Sequence, residues 1–258
     1  MAAPVFKDGD AMYDFTISLA GINIGISAKY EKMRLFCRNY MTDEAPAFTV
    51  SVTDADIAYE QEKSDREKLM ENLPQVTYPE PYLESLAIYR KIAEKLLDYD
   101  TILFHGSALS VDGQGYLFTA KSGTGKSTHT GFWRQTFGDR VVMVNDDKPL
   151  LKITDDGVLV CGTPWDGKHR ISTNTIVPLK GLCILTRAET NHIEKLTAAQ
   201  AMPMLLQQSH RSPDPVAMSK LLRLLEKMSQ KTGLYRLGCN LDPNAAMVAY
   251  EGMNGKEN

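Results

Sequence analysis

The first fifty residues alternate between apolar and polar positions in short blocks, which glycine, asparagine, aspartate and proline separate. Alternation with a period of two and a β-rich composition are typical of strands that bury one face. The pattern therefore predicts a small β-meander or sheet extension made of the blocks YDFTISL, INIGISA, MRLFCRN and AFTVSVT.

Two segments of different character follow these blocks. From Asp56 to Asn72 the chain is densely charged, which indicates a solvated helix or a mobile link. After Pro79 and Pro81, apolar residues recur at roughly helical spacing and predict an amphipathic helix. These apolar positions are Leu83, Leu86, Ala87, Ile92, Leu96 and Leu97.

The middle of the chain has the pattern of paired strands. TILFHGSALSV and GYLFTA flank turn residues at 112–115, and LLKIT and GVLVCG flank a second turn at 155–157. Both turns have the composition of hairpins. A helix is predicted at 127–137, and further strands are predicted for RVVMVN and TIVPLKGLCILTR.

The C-terminal third is mainly helical in pattern. LTAAQAMPMLLQQS and VAMSKLLRLLEKMSQ carry apolar residues at helical spacing, and two short elements, LYRLG and PNAAMVAYEGM, follow them. Strands and helices mixed in this way predict an α/β fold with a mixed β-sheet core. We expect a β-rich N-terminal region with a charged link at 1–78 and a catalytic domain with a helical C-terminal part at 79–258.

Composition narrows the classes of function. The chain has 258 residues, of which 43% are hydrophobic and 24% charged, with a net charge of −3. This mildly acidic balance gives no electrostatic reason to expect nucleic acid as the main partner. No segment has the pattern of a signal peptide or of a membrane span, so we expect a cytoplasmic protein with no membrane association. The cysteines are scattered, which predicts free thiols.

The stretch FTAKSGTGKST, at 118–128, resembles a phosphate-binding loop between a strand and a helix. Ala120 stands where the pattern G-x-x-x-x-G-K-[ST] has its first glycine, and its methyl group is acceptable if φ is negative. We expect Lys126 to reach the β- and γ-phosphates and the hydroxyl of Ser127 to bind Mg²⁺. The predicted nucleotide-binding residues are Ser122, Gly123, Thr124, Gly125, Lys126, Ser127 and Thr128.

The strand pattern VVMVN is followed directly by two carboxylates, Asp146 and Asp147. Phosphate-loop enzymes use an aspartate at the end of an apolar strand to hold Mg²⁺. Adjacent carboxylates repel each other, so we expect a raised pKa for one of them, which would let it take a proton at neutral pH.

The order of these motifs resembles the catalytic domain of HPr kinase/phosphorylase, whose phosphate loop is of the phosphoenolpyruvate carboxykinase type. HGSAL precedes the loop SGTGKST, and an apolar strand ending in two aspartates follows it, over about residues 100–190. The resemblance implies a kinase that uses ATP and Mg²⁺. It implies Asp146 as the base that accepts the substrate proton, Asp147 as the metal-side carboxylate, and His105 as a neighbour that tunes their protonation.

One feature in particular sets this chain apart from that family. The arginine-rich signature that follows the catalytic core of the bifunctional enzymes is missing, which argues against a phosphorylase activity. We therefore expect a small, divergent relative that transfers phosphate to a serine, either free L-serine or a serine of a peptide or protein. A nucleotide-sensing module and an NTP-hydrolysing or carboxykinase-like enzyme are the alternatives. The donor stays open between ATP, GTP and pyrophosphate, and the resemblance allows a homo-oligomer.

The stretch CGTPWDGKHR, at 161–170, completes the candidate site. It could form a substrate loop in which Lys168 or Arg170 neutralises charge on the transferred phosphoryl group. The alternative is a surface turn around a half-buried Trp165. For His129, a capping or packing role is favoured over catalysis.

Overall fold

The computed structural model describes residues 12–255 except Glu71 and Ser122. The chain divides into two compact units, Met1–Lys95 and Leu96–Asn258.

The first unit contains a small sheet in the order β1-β2-β3. Its strands are β1 (Tyr13–Leu19), β2 (Ile22–Ala28) and β3 (Phe48–Ser51). β1 and β2 pair antiparallel, whereas β2 and β3 pair parallel. The tight turn between β1 and β2 places Ala20 and Gly21 at positive φ. Three of the four predicted strands are therefore present.

The prediction of a fourth strand at MRLFCRN is wrong. This segment lies in helix α1 (Glu31–Phe36) and a following 3₁₀ turn (Arg38–Tyr40). Met33, Cys37 and Tyr40 are buried, and their spacing of four and three residues is that of one helix face. The β-rich composition of the segment concealed this helical period.

Two longer helices complete the first unit, α2 (Asp54–Met70) and α3 (Glu80–Leu96). The charged segment is thus a helix. All but the last residue of α3 belongs to the first unit, although we expected this helix in the catalytic domain. The reason is its contacts, since Glu84 accepts a 2.5 Å hydrogen bond from the backbone of Lys29 and Arg90 pairs with Glu60.

The second unit is built on a mixed sheet in the order β4-β8-β9-β10-β6-β5-β7, and β12 and β11 extend it beside β10. β10 pairs parallel with β6 and with β12, whereas the other pairs are antiparallel. The strands are β4 (Thr101–Leu103), β5 (Ser107–Val111), β6 (Gln114–Thr119), β7 (Val141–Asn145), β8 (Leu150–Ile153), β9 (Val158–Cys161), β10 (Ile176–Arg187), β11 (His192–Lys195) and β12 (Gly233–Cys239).

Both predicted hairpins are present, β5–β6 and β8–β9. The predicted strand TILFHGSALSV is divided into two strands, β4 and β5. Only β5 pairs with β6, whereas β4 pairs with β8. The exposed edge strand β11 is not predicted by the sequence pattern. None of its four residues is buried, so its sequence has no alternation of apolar and polar positions that would predict a strand.

Helices cover both faces of this sheet. They are α4 (Lys126–Phe137), α5 (Ala198–Gln208), α6 (Pro215–Lys231) and α7 (Ala245–Met253). In β10, Leu182 packs in the cluster with α5 and α6, and the next residue, Cys183, packs in the cluster with α4 and α7. Because successive side chains of a strand point to opposite faces, a central strand buried on both sides needs this continuous apolar run. The α/β prediction is confirmed.

The predicted free thiols are also confirmed. Cys37, Cys161 and Cys183 are buried and Cys239 is half-buried, and none forms a disulfide. Over the part of the chain that the structure describes, no helix combines the length and the apolarity that crossing a bilayer requires.

Candidate functional site

The site begins at the junction of β6 and α4. Gly123 and Gly125 have φ values of +74° and +111°, a left-handed region that glycine enters without strain. Gly125 is the N-cap of α4 and offers no side chain to cap the helix, so the first backbone N–H groups of α4 have no side-chain cap. Such a helix end attracts anions.

Ala120 fits the position that the motif reserves for glycine. Its φ is not positive, and its side chain is fully buried in the cluster that includes Phe118 and Trp133. The extra methyl group therefore causes no backbone strain and contributes to packing beneath the loop.

The remaining loop residues close the turn. The backbone N–H and the hydroxyl of Thr124 both donate to the carbonyl of Lys121, at 3.2 and 2.8 Å. Ser127 and Thr128 are exposed in the first turn of α4. Ser122, which the sequence places in the same loop, lies outside the described residues.

The end of β7 meets the start of α4 through Asp146. The hydroxyl of Ser127 donates to Oδ2 of Asp146 at 3.2 Å, and the hydroxyl of Ser107 donates to Oδ1 at 2.5 Å. Asp146 is 9% exposed, so it is almost completely buried. Three strands and a helix thus bring a carboxylate to the loop, since Ser107 begins β5 beside β6 and β7.

Asp147 has a different neighbour. Its Oδ1 lies 3.4 Å from Nε2 of His105, and its backbone carbonyl accepts a 3.0 Å hydrogen bond from Gly106. Burial would raise the pKa of Asp147, but the hydrogen bond from His105 and nearby lysine charges outweigh burial and hold this pKa below its usual value. Asp147 is thus kept ionised, and it is not the aspartate of the pair whose pKa is raised.

Lys126 stands close to both carboxylates without an ion pair to any described residue. Burial lowers the pKa of its ammonium group, and the charges of Asp147 and Asp146 only partly offset this effect. A half-buried cation whose charge is incompletely balanced is a favourable position for an anion.

Asn145 holds the neighbouring segments in place. It is fully buried, and its side-chain N–H groups donate to the carbonyl oxygen of Thr163 at 2.9 Å and to that of Trp165 at 3.3 Å. Its side-chain oxygen accepts from the backbone N–H groups of Asp147 and Lys148, at 2.9 and 2.6 Å. The sequence left Asn145 open between a metal-orienting role and a strand end; the structure places it between the aspartate turn and the 161–170 stretch.

A third carboxylate, Asp166, joins the group and was not predicted from the sequence. A Cβ atom on its neighbour Gly167, which has a φ of +73°, would lie 2.9 Å from Cβ of Asp147, so this loop packs directly against Asp147. Burial and the charge of Asp147 raise the pKa of Asp166, and a 2.8 Å hydrogen bond from Ser172 and the charge of Arg170 oppose them. The carboxylate in the stretch GTPWDG was the available signal, but its approach to Asp147, 19 residues earlier, is not visible in the sequence.

The cations of this loop are less constrained. Arg170 is exposed, has a φ of +51° and lies close enough to Asp166 to affect its pKa. Lys168 is exposed and forms no hydrogen bond or ion pair with another described residue. Both therefore lie at the border of the site, with side chains open to solvent.

Among the described residues, no three side chains of His, Cys, Asp or Glu cluster in a way that would hold a metal ion. Ser127 and Asp146 nevertheless place two oxygen donors side by side, and Mg²⁺ commonly uses one or two carboxylates together with substrate phosphates.

No family model and no curated protein matches this chain. Among solved structures, it is similar to the Hpr(Ser) kinase/phosphatase from Coxiella burnetii, with a TM-score of 0.35 and 12% sequence identity. The match covers 59% of this chain and 99% of that chain. This is a distant structural likeness.

Proposed function

We propose that this chain is a Mg²⁺- and ATP-dependent phosphotransferase whose acceptor is the hydroxyl group of a serine, either free or in a peptide or protein. The observation that carries the proposal is the 3.2 Å hydrogen bond between Ser127 and Asp146. It brings the carboxylate at the end of β7 to the N-terminus of α4, where Lys126 stands.

The loop supplies the binding site for the phosphates. The uncapped N–H groups at the start of α4 and the two glycines at positive φ favour an approaching anion. Lys126 adds a cation whose own burial is unfavourable until a negative charge is bound. Binding of a triphosphate would therefore relieve an existing electrostatic cost.

Ser127 and Asp146 would hold Mg²⁺ together with phosphate oxygens, as their adjacent oxygen atoms suit a hard cation. When bound, the metal would neutralise charge that develops on the phosphates during transfer. This assignment exchanges the roles that the family resemblance implies, since it gives the metal side to Asp146.

Asp147 is then the group that accepts the proton of the acceptor hydroxyl. Its lowered pKa keeps it ionised, and His105 at 3.4 Å orients one of its carboxylate oxygens. In the transfer, the serine oxygen forms a bond to the γ-phosphorus, its proton passes to the carboxylate of Asp147, and the bond to the β-phosphate oxygen breaks to release ADP.

Lys168 and Arg170 are proposed to act from the adjoining loop. Their exposed side chains lie after Gly167, which packs against Asp147, and could reach a phosphoryl group in transit without being held by internal ion pairs. Asp166 would keep Arg170 nearby in the absence of substrate.

The first experiment is incubation of the purified protein with Mg²⁺-ATP and L-serine, or with a serine-containing peptide, followed by mass spectrometry. We expect O-phosphoserine or a phosphopeptide together with ADP, and neither with Lys126→Ala. ADP alone would favour the hydrolysing or carboxykinase-like alternative. Nucleotide binding without turnover would favour the sensor.

The two aspartate roles can be separated with matched variants. Asp146→Asn is expected to raise the Mg²⁺ concentration for half-maximal activity by about 10-fold or more, because it removes a metal-side charge. Asp147→Asn is expected to lower kcat by about 100-fold or more with little change in the Mg²⁺ requirement. The opposite pattern would restore the roles that the resemblance implies.

A further inference from the structure

A cavity of about 450 Å³ opens beside the phosphate loop. One wall is the segment Gly123–Gly125 with the start of α4, and the other is formed by the ends of β10 and β12. Neither Asp146 nor Asp147 lines it, so the cavity lies to one side of the carboxylates. Its volume is in the range that takes a small organic ligand, about 300–1,000 Å³.

His129 lines this cavity, and one of its two ring nitrogens has no hydrogen-bond partner. The indole N–H of Trp133 donates to Nε2 of His129 at 3.0 Å, so Nε2 must be unprotonated. With Nε2 unprotonated the ring is neutral, and it is 2% exposed. The proton of a neutral ring is then on Nδ1, and this buried atom has no hydrogen-bond partner.

An orphaned buried donor destabilises the fold, so its presence needs an explanation. A ligand acceptor in the cavity would supply the missing partner. The ring itself is held in place, because it contacts Phe118 edge-on at a centroid distance of 4.6 Å and receives the Trp133 hydrogen bond. His129 is thus a preset donor.

Arg187 connects the cavity to the loop. Its Nη2 donates to the carbonyl of Gly123 at 3.1 Å, and the residue also lines the cavity. The remaining lining includes the apolar side chains of Phe132 and Leu241, of which Leu241 is 81% exposed. The cavity therefore combines apolar surface with a few polar groups, as nucleoside sites do.

We propose that this cavity is the nucleoside subsite of the nucleotide that the loop binds, and that Nδ1–H of His129 donates to an acceptor atom of the ribose or base. The inference rests on the proposed function. If the terminal phosphate faces Ser127 and Asp146, the nucleoside must lie on the other side of the loop. The cavity is on that side, because Gly123 and Gly125 form part of its wall.

The first test uses the unmodified protein and Cys239, a half-buried thiol in the cavity wall. N-ethylmaleimide labelling at alkaline pH is followed by peptide mass spectrometry, with binding of ATP and of inorganic triphosphate measured by calorimetry. We expect saturating ATP to slow labelling of Cys239 by about 10-fold or more, and bound triphosphate to slow it by less than about 2-fold. The buried Cys161 and Cys183 provide the internal reference for unfolding.

Two variants make the test independent of thiol reactivity. Ala188→Trp fills the cavity and should weaken ATP binding by about 10-fold or more while leaving triphosphate binding unchanged. His129→Phe keeps an aromatic ring of slightly larger size, removes the donor, and should weaken the binding of ATP alone by about 5-fold. Far-ultraviolet circular dichroism checks folding. If His129→Phe does not fold, the result with Ala188→Trp tests the nucleoside subsite.

The outcomes separate this inference from the proposed function. Equal effects of a variant on ATP and triphosphate, or ATP binding without protection of Cys239, would overturn the nucleoside subsite and leave the phosphate loop intact. If wild-type protein binds neither ATP nor triphosphate, the proposed function fails, and the subsite fails with it.

Discussion

The two compact units each contain a cluster of buried and half-buried charges, and the clusters are built in opposite ways. In the first unit, Arg90 contacts Glu60 at 2.6 Å and Asp56 at 3.4 Å, and Lys91 contacts Asp56 at 2.7 Å. Each of these charges faces a charge of opposite sign. In the second unit, the carboxylates of Asp146 and Asp147 contact hydroxyl and imidazole groups instead.

The difference indicates what each cluster is for. A closed set of ion pairs compensates the desolvation of its own members and leaves nothing for a ligand to complete. In the candidate site Lys126 is half-buried, its pKa is lowered, and no described carboxylate pairs with it. Perturbed and incompletely paired groups in one place are typical of functional sites. The comparison can be tested by making the same substitution, of a cation by methionine, in each of the two clusters.

The largest expected effect is on activity, at the open cluster. Lys126→Met should reduce turnover by about 1,000-fold or more, because it removes charge stabilisation of the phosphates. The free energy of unfolding should stay the same or rise, since a partly desolvated charge is lost. Steady-state kinetics and urea unfolding measure the two quantities. A marked loss of stability would mean that Lys126 is a structural cation.

The next effect is on stability, at the closed cluster. Arg90→Met should lower the free energy of unfolding by about 3 kcal/mol, because it leaves Glu60, 5% exposed, without its partner. Urea unfolding gives this value. The matched control is Arg66→Met, which breaks an exposed pair with Glu62 and should cost less than about 1 kcal/mol. Equal costs for both variants would remove the contrast between the clusters.

A smaller effect is expected from acid. Burial would raise the pKa of Asp56, but hydrogen bonds from Lys91 and Thr53 outweigh it and hold this pKa well below its usual range. A carboxyl whose pKa is lower in the folded state stabilises the fold above the unfolded value, about 4, and loses this contribution as pH falls toward the folded value. The stability difference between wild type and Asp56→Asn should therefore shrink below about pH 4. Urea unfolding at several pH values measures this difference, and a gap that is constant with pH would contradict the ion-pair explanation.

The smallest effect is expected where the loop and the core overlap. Ala120→Gly restores the usual motif, but it removes a fully buried methyl group and frees the unfolded backbone. It should lower the free energy of unfolding by about 1 kcal/mol and change turnover by less than about 2-fold. A large gain in activity would show that the methyl group obstructs the loop, in contrast to its negative φ.

Much of the fold could be predicted because it depends on short-range patterns. The hairpin turns, the apolar run of β10 and the buried stripe Leu221, Leu224, Leu225 and Met228 all follow from local periodicity. The helix at Glu31–Phe36 and the 3₁₀ turn after it were not predicted, since the three buried residues of this segment, Met33, Cys37 and Tyr40, are too few to reveal a helical period against β-favouring side chains. β11 was missed because an exposed edge strand carries no apolar period.

The candidate site divides along the same line. The sequence alone determined the strand, glycine loop and helix, and the two adjacent carboxylates, because each is contained in a few consecutive residues. Only the tertiary structure decided that Ser127 faces Asp146, that His105 faces Asp147, and that Gly167 packs against that aspartate. These contacts join segments between 19 and 42 residues apart, and their geometry depends on strand order and side-chain packing, which no local pattern encodes.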